Sequence, residues 1–421
     1  MFDATMVDQV DVKGKRVFVR VDFNVPLDKK GKITDTARIV KAAPTIKYIL
    51  KQGAKSVVLA SHLGRPNGLK KKKYSMRLIV DAVEEAIGVP VIHLHDCVGS
   101  EVEAVCANPT PGTVFLLENL RFNVAEKGKG KTDFGKKVKA TKAQKKAFRA
   151  SLSKLADVYV NDAFGTCHRS HSSMVGVNMP VKAAGFLVKK ELEAFGQALT
   201  NPKTPFIAVL GGKKVRDKLP LIKNLLGLVD EVIISGGMAW TFLKVSGMQI
   251  GDSIFDEPGA KLVPEIMEMA KAKGVKIHLP VDCVAADKFD PNARTQTIHK
   301  SEGIPDEWQG LDIGPETRSR FAAVILSAKT IVYNGPQGVF EMEKFCEGTK
   351  AVLAAMAAAT EDHEACTIVG GGDSASAAKK FGFADRVTHV STGGGASLEL
   401  LQGKILPGIK YLGKNRMQSK L

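Results

Sequence analysis

The chain has 421 residues, with 61 Lys and Arg against 44 Asp and Glu, for a formal net charge of +17. At about 150 residues per domain this length predicts two or three domains. With 44% apolar and 25% charged residues, the composition excludes disorder, collagen and a coiled coil.

Residues 1–15 lack the apolar core of a secretory leader, and no stretch approaches the roughly 18 uninterrupted apolar residues of a membrane span. A soluble intracellular protein with no membrane partner is expected. Short β-branched runs then recur at 17–21, 56–60, 113–117 and 157–160, separated by helical periods such as 37–51 and 76–87. Further runs occur at 206–210, 231–234, 330–333, 366–369 and 387–390. Apolar runs without alternation, interleaved with helices, predict parallel sheets covered on both faces. The class is α/β, doubly wound, with too many strands for one sheet.

Between these runs, His93 and His95 fit one face of a short strand better than a metal site. The six cysteines show no C-x-x-C pair and read as reduced thiols. Two lysine-rich segments, 69–73 and 127–146, hold much of the charge surplus. Neither is interleaved with the aromatics of a base-stacking platform, so both read as solvated loops and a nucleic-acid partner is not expected. A Walker A reading of residues 125–132 fails, because Ala125 stands where glycine is required and no strand precedes it.

The residues just beyond the strands differ between the halves. In the first half the runs end in polar and cationic groups: Asp22-Phe23-Asn24, Ser61-His62-Leu63-Gly64-Arg65, Glu118-Asn119-Leu120-Arg121 and Asn161-Asp162 through Arg169. In the second half they end in glycines: Gly211-Gly212, Gly236-Gly237, Asn334-Gly335-Pro336, Gly370-Gly371-Gly372-Asp373 and Thr392-Gly393-Gly394-Gly395. Ligands of open α/β sheets lie beyond the carboxyl ends of the strands. One half therefore offers an Arg- and His-lined crevice for a small anion, the other a glycine floor for a nucleotide. Asp373, opening a helix after the triple glycine, is placed either as a plain N-cap or as a magnesium ligand. Two ligands in two lobes imply closure for chemistry between them.

These motifs, in this order, resemble phosphoglycerate kinases. The likeness runs from about Val12 to Leu412. It rests on Arg20-Val21-Asp22-Phe23-Asn24-Val25-Pro26, Ser61 to Pro66, Glu118 to Phe122, Asn161 to Thr166, Asn334-Gly335-Pro336, Gly338 to Glu341, Gly370 to Asp373 and Ser391 to Ser397. The resemblance implies two Rossmann-like domains joined by a helical hinge, at 1–186 and 187–405, with the tail 406–421 packed back on the first. It implies a monomer that moves a phosphoryl group between 1,3-bisphosphoglycerate and MgADP, giving 3-phosphoglycerate and MgATP. Asp22, Asn24, Arg38, His62, Arg65, Arg121 and Arg169 would bind the phosphoglycerate. Gly212, Lys214, Lys218, Gly236, Gly237, Gly314, Asn334, Pro336, Glu341, Gly371, Gly372, Asp373 and Ser374 would serve the nucleotide, with Asp373 on Mg2+. Arg38, Lys214 and Lys218 would be catalytic, helped by backbone N–H groups of Gly371, Gly372, Gly394 and Gly395.

The chain departs from the family pattern at Lys213, Arg216 and Pro220, and more mildly at Asn67 and Ala184. A weakened paralogue, or a basic polyanion-binding protein on the same fold, is the rival reading. Ser419-Lys420-Leu421 has the form of a peroxisomal import address read by its receptor. Family precedent points to the cytosol instead, and the sequence leaves both compartments open.

Overall fold

Runs of Val, Ile and Phe pack best where both faces of a strand are covered, and here they form two parallel sheets, each in its own unit. The computed structural model describes residues 4–413. The chain divides into one unit of residues up to 193 together with those from 405 onward, and a second unit spanning 194–404. The division falls inside the helix Phe186–Thr200, later than the 186/187 boundary expected from the sequence. Residues 419–421, on which the import-address expectation rests, lie outside the described residues.

The first unit contains β1 (Arg16–Val21), β2 (Ser56–Ala60), β3 (Val91–His93), β4 (Thr113–Leu116), β5 (Lys129–Lys131), β6 (Lys137–Lys139), β7 (Val158–Asp162) and β8 (Val181–Ala184). Six of these form a parallel sheet in the order β3-β4-β2-β1-β7-β8. The chain leaves β1 on the β2 side and later returns to its other edge as β7, so the switch of direction lies at β1 and β7. Helix Ala37–Lys51 buries Ile39, Ala42, Ala43, Ile46 and Ile49, a helical spacing that gives one apolar stripe against Val17, Val19 and Val21. Each such isoleucine or valine contributes about 1.5–3 kcal/mol by leaving water.

Residues 405–413 complete this unit. Gly408 N–H donates to the Cys167 carbonyl (2.8 Å), the Tyr411 hydroxyl donates to the Val177 carbonyl (3.0 Å), and Leu406, Ile409 and Leu412 are buried.

The second unit contains β9 (Phe206–Leu210), β10 (Glu231–Ile234), β11 (Lys276–His278), β12 (Asp282–Ala286), β13 (Thr295–His299), β14 (Gln309–Ile313), β15 (Thr330–Asn334), β16 (Cys366–Val369) and β17 (His389–Val390). Its parallel sheet runs β11-β10-β9-β15-β16-β17, with the switch of direction at β9 and β15. A separate antiparallel sheet, β13-β12-β14, has no counterpart among the runs read from the sequence.

Two local expectations need correction. The segment 127–146 is not a solvated loop: it forms the antiparallel hairpin β5–β6 and the start of helix Lys142–Lys154, which Thr141 caps reciprocally with Gln144. Neither KGK nor KVK alternates apolar and polar residues over a long enough run, so the period carries no strand signal. Strand β3 ends at His93, which leaves His95 beyond the strand. Among the described residues no three His, Cys, Asp or Glu side chains cluster to hold a metal, all six cysteines are free and buried, and no helix is long and apolar enough to cross a membrane.

Candidate functional site

Each sheet carries a separate constellation beyond the carboxyl ends of its strands. In the first unit the chain leaves β1 at Asp22, whose carboxylate accepts from Arg38 Nη1 at 2.5 Å. Arg38 sits in the first turn of its helix and keeps a partly exposed guanidinium. Asn24 Oδ1 accepts from Gly64 N–H (2.7 Å), tying the β1 and β2 exits together. Arg121, in a short turn after β4, donates to the Gly64 carbonyl (3.0 Å) and leaves its buried Nε without a partner. Asn119 fixes that turn by donating to the Leu63 and Tyr74 carbonyls (both 2.8 Å).

Behind this rim lies a layer of buried and half-buried basic side chains. Arg20, within β1, is fully buried; its Nε donates to Ser173 Oγ (2.9 Å), it also bonds the Val21 carbonyl, and its Nη2 lies 3.4 Å from His62 Nδ1. Burial, then Arg121, Arg20, His171 and Arg38, push the His62 imidazole well below its ordinary range. Burial and the neighbouring Arg121, Arg20, Lys127 and Arg169 push His171 down to about 3. Arg121 itself falls to about 10, through burial first and then Arg20. Lys127 is lowered by burial and by Arg121, Lys129, Arg65 and Arg169.

Every one of these shifts disfavours positive charge. Glu126, which accepts from Ser173 N–H (2.9 Å) and Ser173 Oγ (2.7 Å), and Asp22, paired with Arg38, offset only part of this charge. A multiply charged anion entering here would relieve the repulsion. Asp22, Asn24, Arg38, His62 and Arg121 thus lie at adjoining strand exits, while Arg65 and Arg169 are exposed and within electrostatic reach of Lys127. Sequence reasoning missed Arg20, Lys127, His171 and Glu126. Arg20 carried a signal, since a cation inside an unalternating apolar strand must be buried and therefore partnered.

In the second unit, β9 and β15 exit side by side. A Cβ on Gly211 would overlap the Gly335 and Pro336 carbonyls, and one on Gly335, at φ +106°, would overlap the Gly211 carbonyl. Glycine is required at both positions for the two exits to touch. Gly236, at φ +65°, opens helix Gly237–Val245, and Met238 N–H donates to the Gly212 carbonyl (2.7 Å). Asn334 donates to the Gly370 carbonyl (2.6 Å) and accepts from the Lys218 ammonium through its side-chain oxygen. Ser374 Oγ accepts from Gly335 N–H (2.7 Å). Burial lowers Lys218 to about 8, against which the nearby Asp373 carboxylate acts.

Helix Gly372–Lys380 opens beside these groups. Gly371 is its N-cap at φ +98°, and no side chain caps it. The exposed Asp373 carboxylate accepts no hydrogen bond among the described residues. One free carboxylate at a helix N-terminus, with no further ligand cluster, fits a magnesium ion that arrives with phosphate oxygens rather than a resident protein-caged ion.

The structure does not gather every predicted residue equally. Lys214 is the N-cap of helix Val215–Leu225 and is half-buried; Lys213 is exposed. Arg216 turns to Asp256 (Nε–Oδ1 3.5 Å), and Pro220 lies inside the same helix. The Glu341 side chain is exposed and only its carbonyl engages Lys380 (3.4 Å). Gly314 packs against Asp282, whose carboxylate caps helix Pro315–Leu326 through Glu316 and Thr317 N–H (3.0 and 2.7 Å). Gly394 and Gly395 begin a separate helix, Gly395–Leu401.

A family profile described as phosphoglycerate kinase matches residues 7–404. The human protein named phosphoglycerate kinase 1 is 58% identical over 408 residues, covering 96% of this chain and 97% of that one. The Saccharomyces cerevisiae phosphoglycerate kinase is 57% identical over 411 residues, covering 97% and 98%. Among solved structures, phosphoglycerate kinase from Coxiella burnetii superposes with a TM-score of 0.84 at 38% identity, over 97% of this chain and 98% of that one.

Proposed function

The chain belongs to the phosphoglycerate kinase family and is a phosphotransferase, and on that premise we propose how its residues carry the reversible step between 1,3-bisphosphoglycerate and ADP. The observation that carries the reading is the presence, in one chain, of two separate constellations of complementary kind. One is a desolvated cation cluster; the other is a glycine-floored helix N-terminus with a half-buried lysine.

The phosphoglycerate is held by Arg38, Arg65, Arg121 and Arg169 with His62, while Asp22 and Asn24 orient the rim. Neutral His62 donates or accepts hydrogen bonds rather than supplying charge. Adenine nucleotide binds over Gly212, Gly236 and Gly237, with Lys214, Lys218 and the N–H groups of Gly371, Gly372 and Asp373 meeting its phosphates. Asp373 would hold magnesium together with phosphate oxygens; bound there, the ion neutralises phosphate charge. Gly314, Pro336 and Glu341 line the nucleotide side, and Gly394 and Gly395 contribute further N–H groups.

No protein nucleophile or base is needed, because the carboxylate or ADP oxygen that attacks is already ionised. Catalysis is positioning and charge stabilisation, with Arg38, Lys214 and Lys218 countering charge on the moving phosphoryl oxygens. We propose a monomer, as the likeness to the family implies.

The test is transfer from MgATP to 3-phosphoglycerate, coupled to reduction of the acyl phosphate and followed as NADH loss. Turnover of roughly 1 to 1,000 per second is expected. Folded protein that binds both substrates without turnover would overturn the reading.

A further inference from the structure

The hairpin β5–β6 supplies none of the side chains assigned above to either ligand, although Lys129 lies within electrostatic reach of Lys127. Its register pairs Lys129 with Lys139 and Lys131 with Lys137, so period-2 alternation puts all four lysines on one face, with Gly130 and Val138 on the other. The second face is the anchored one. Lys131 N–H donates to the Asn67 carbonyl (2.8 Å), and a Cβ on Gly130 would overlap that carbonyl. Like charges directly opposite each other across an antiparallel pair are destabilising. These lysines are all exposed, and the ion pairs formed nearby, Lys70–Asp96 and Lys154–Glu103, use other lysines. Lys136, Lys142 and Lys146 are exposed in the same stretch of chain.

At the apex stands Phe134, 99% exposed. The turn that presents it is well bonded. Thr132 N–H donates to the Lys136 carbonyl (2.8 Å), Gly135 N–H to the Thr132 carbonyl (2.9 Å) and Lys136 N–H to Thr132 Oγ1 (3.2 Å), with Gly135 at φ +78°. A single exposed apolar side chain means nothing alone. A phenyl ring at the tip of a lysine ladder, where Asp133 is the one acidic residue against the lysines at 129, 131, 136, 137 and 139, combines two features that a single kind of surface satisfies together.

We propose that this hairpin is a docking element for an anionic phospholipid surface. The lysine face meets headgroup phosphates and carboxylates, and the Phe134 ring enters the boundary below them. A nucleic acid fits less well: stacking platforms carry rings among the cations of one face, and this lysine face carries none. The association is peripheral and reversible, since it combines one apolar anchor with screened charges. It departs from the sequence expectation of no membrane partner, which considered spanning segments only.

The test is co-sedimentation of the full chain with phosphatidylcholine vesicles, with and without roughly 30% phosphatidylserine. Binding to the anionic vesicles alone is expected, falling at least about tenfold between roughly 0.1 and 0.5 M salt. Phe134→Ser should weaken it about fivefold, and Lys131→Gln with Lys137→Gln about tenfold, while phosphoryl transfer stays unchanged. Phe134→Trp should add a blue-shifted emission on vesicle binding. Saturating 3-phosphoglycerate should leave vesicle binding intact. Displacement by that ligand, equal binding of wild type and Phe134→Ser, absence of serine-lipid dependence, or tighter binding to a single-stranded oligonucleotide than to vesicles would each overturn the proposal.

Discussion

Lys218 stands half-buried at the glycine floor, bonded to Asn334. Burial holds its ammonium near 8, so at neutral pH a fraction of the chains carry it uncharged. Phosphate oxygens would favour the charged form, so nucleotide binding should draw in protons between about pH 8 and the ordinary lysine range. Calorimetry in buffers of different ionisation enthalpy should record uptake there, and Lys218→Met should abolish it. Without ligand the sign for stability is fixed too: the unfolded chain binds the proton more tightly between about 8 and 10.5, so stability should rise with pH across that window.

Arg38 behaves differently. It is partly exposed beside Asp22, so Arg38→Ala should cost only about 1 kcal/mol of stability. It should lower kcat by roughly a hundredfold or more if it neutralises the moving phosphoryl. A kcat that is unchanged at saturating substrate would remove Arg38 from the catalytic set. Lys213, exposed beside Gly212, should tolerate Lys213→Ala with kcat changed less than about twofold.

The elements of the parallel sheets were legible because burial on both faces forces continuous apolar runs, and β1, β2, β7, β9 and β15 all carry them. The hairpin β5–β6 and β13 were not. Their strands are largely exposed, so packing leaves no imprint on the residue types, and backbone pairing alone defines them. The site shows the same division. Glycine turns and strand-end arginines could be placed from spacing. By contrast, the approach of Lys127 and His171 to Arg121 depends on tertiary folding that no local pattern encodes. At this scale the Asp282 cap is a clear test. It accepts N–H groups of Glu316 and Thr317 and the Thr317 hydroxyl (2.6 Å), so Asp282→Ala should cost roughly 1–2 kcal/mol and lower the melting temperature by a few degrees. Thermal denaturation followed by circular dichroism would measure it.

For the whole molecule, two units with separate cores should not unfold as one system. Truncation after Lys404 removes the buried Leu406, Ile409 and Leu412 and the bonds to Cys167 and Val177 from the first unit alone. Calorimetry should show one transition lowered by several degrees and the other unmoved. A uniform shift of both would refute independent cores. The closing segment also imposes an order in time. A ribosome releases the chain N-terminus first, at about 5–20 residues per second. The surface around Cys167 and Asn161 therefore stays uncovered while the entire second unit is synthesised, for on the order of 10–40 s at that rate. During that interval the nascent first unit is an unfinished client, open to chaperones, and only residues made after the second unit can seal it.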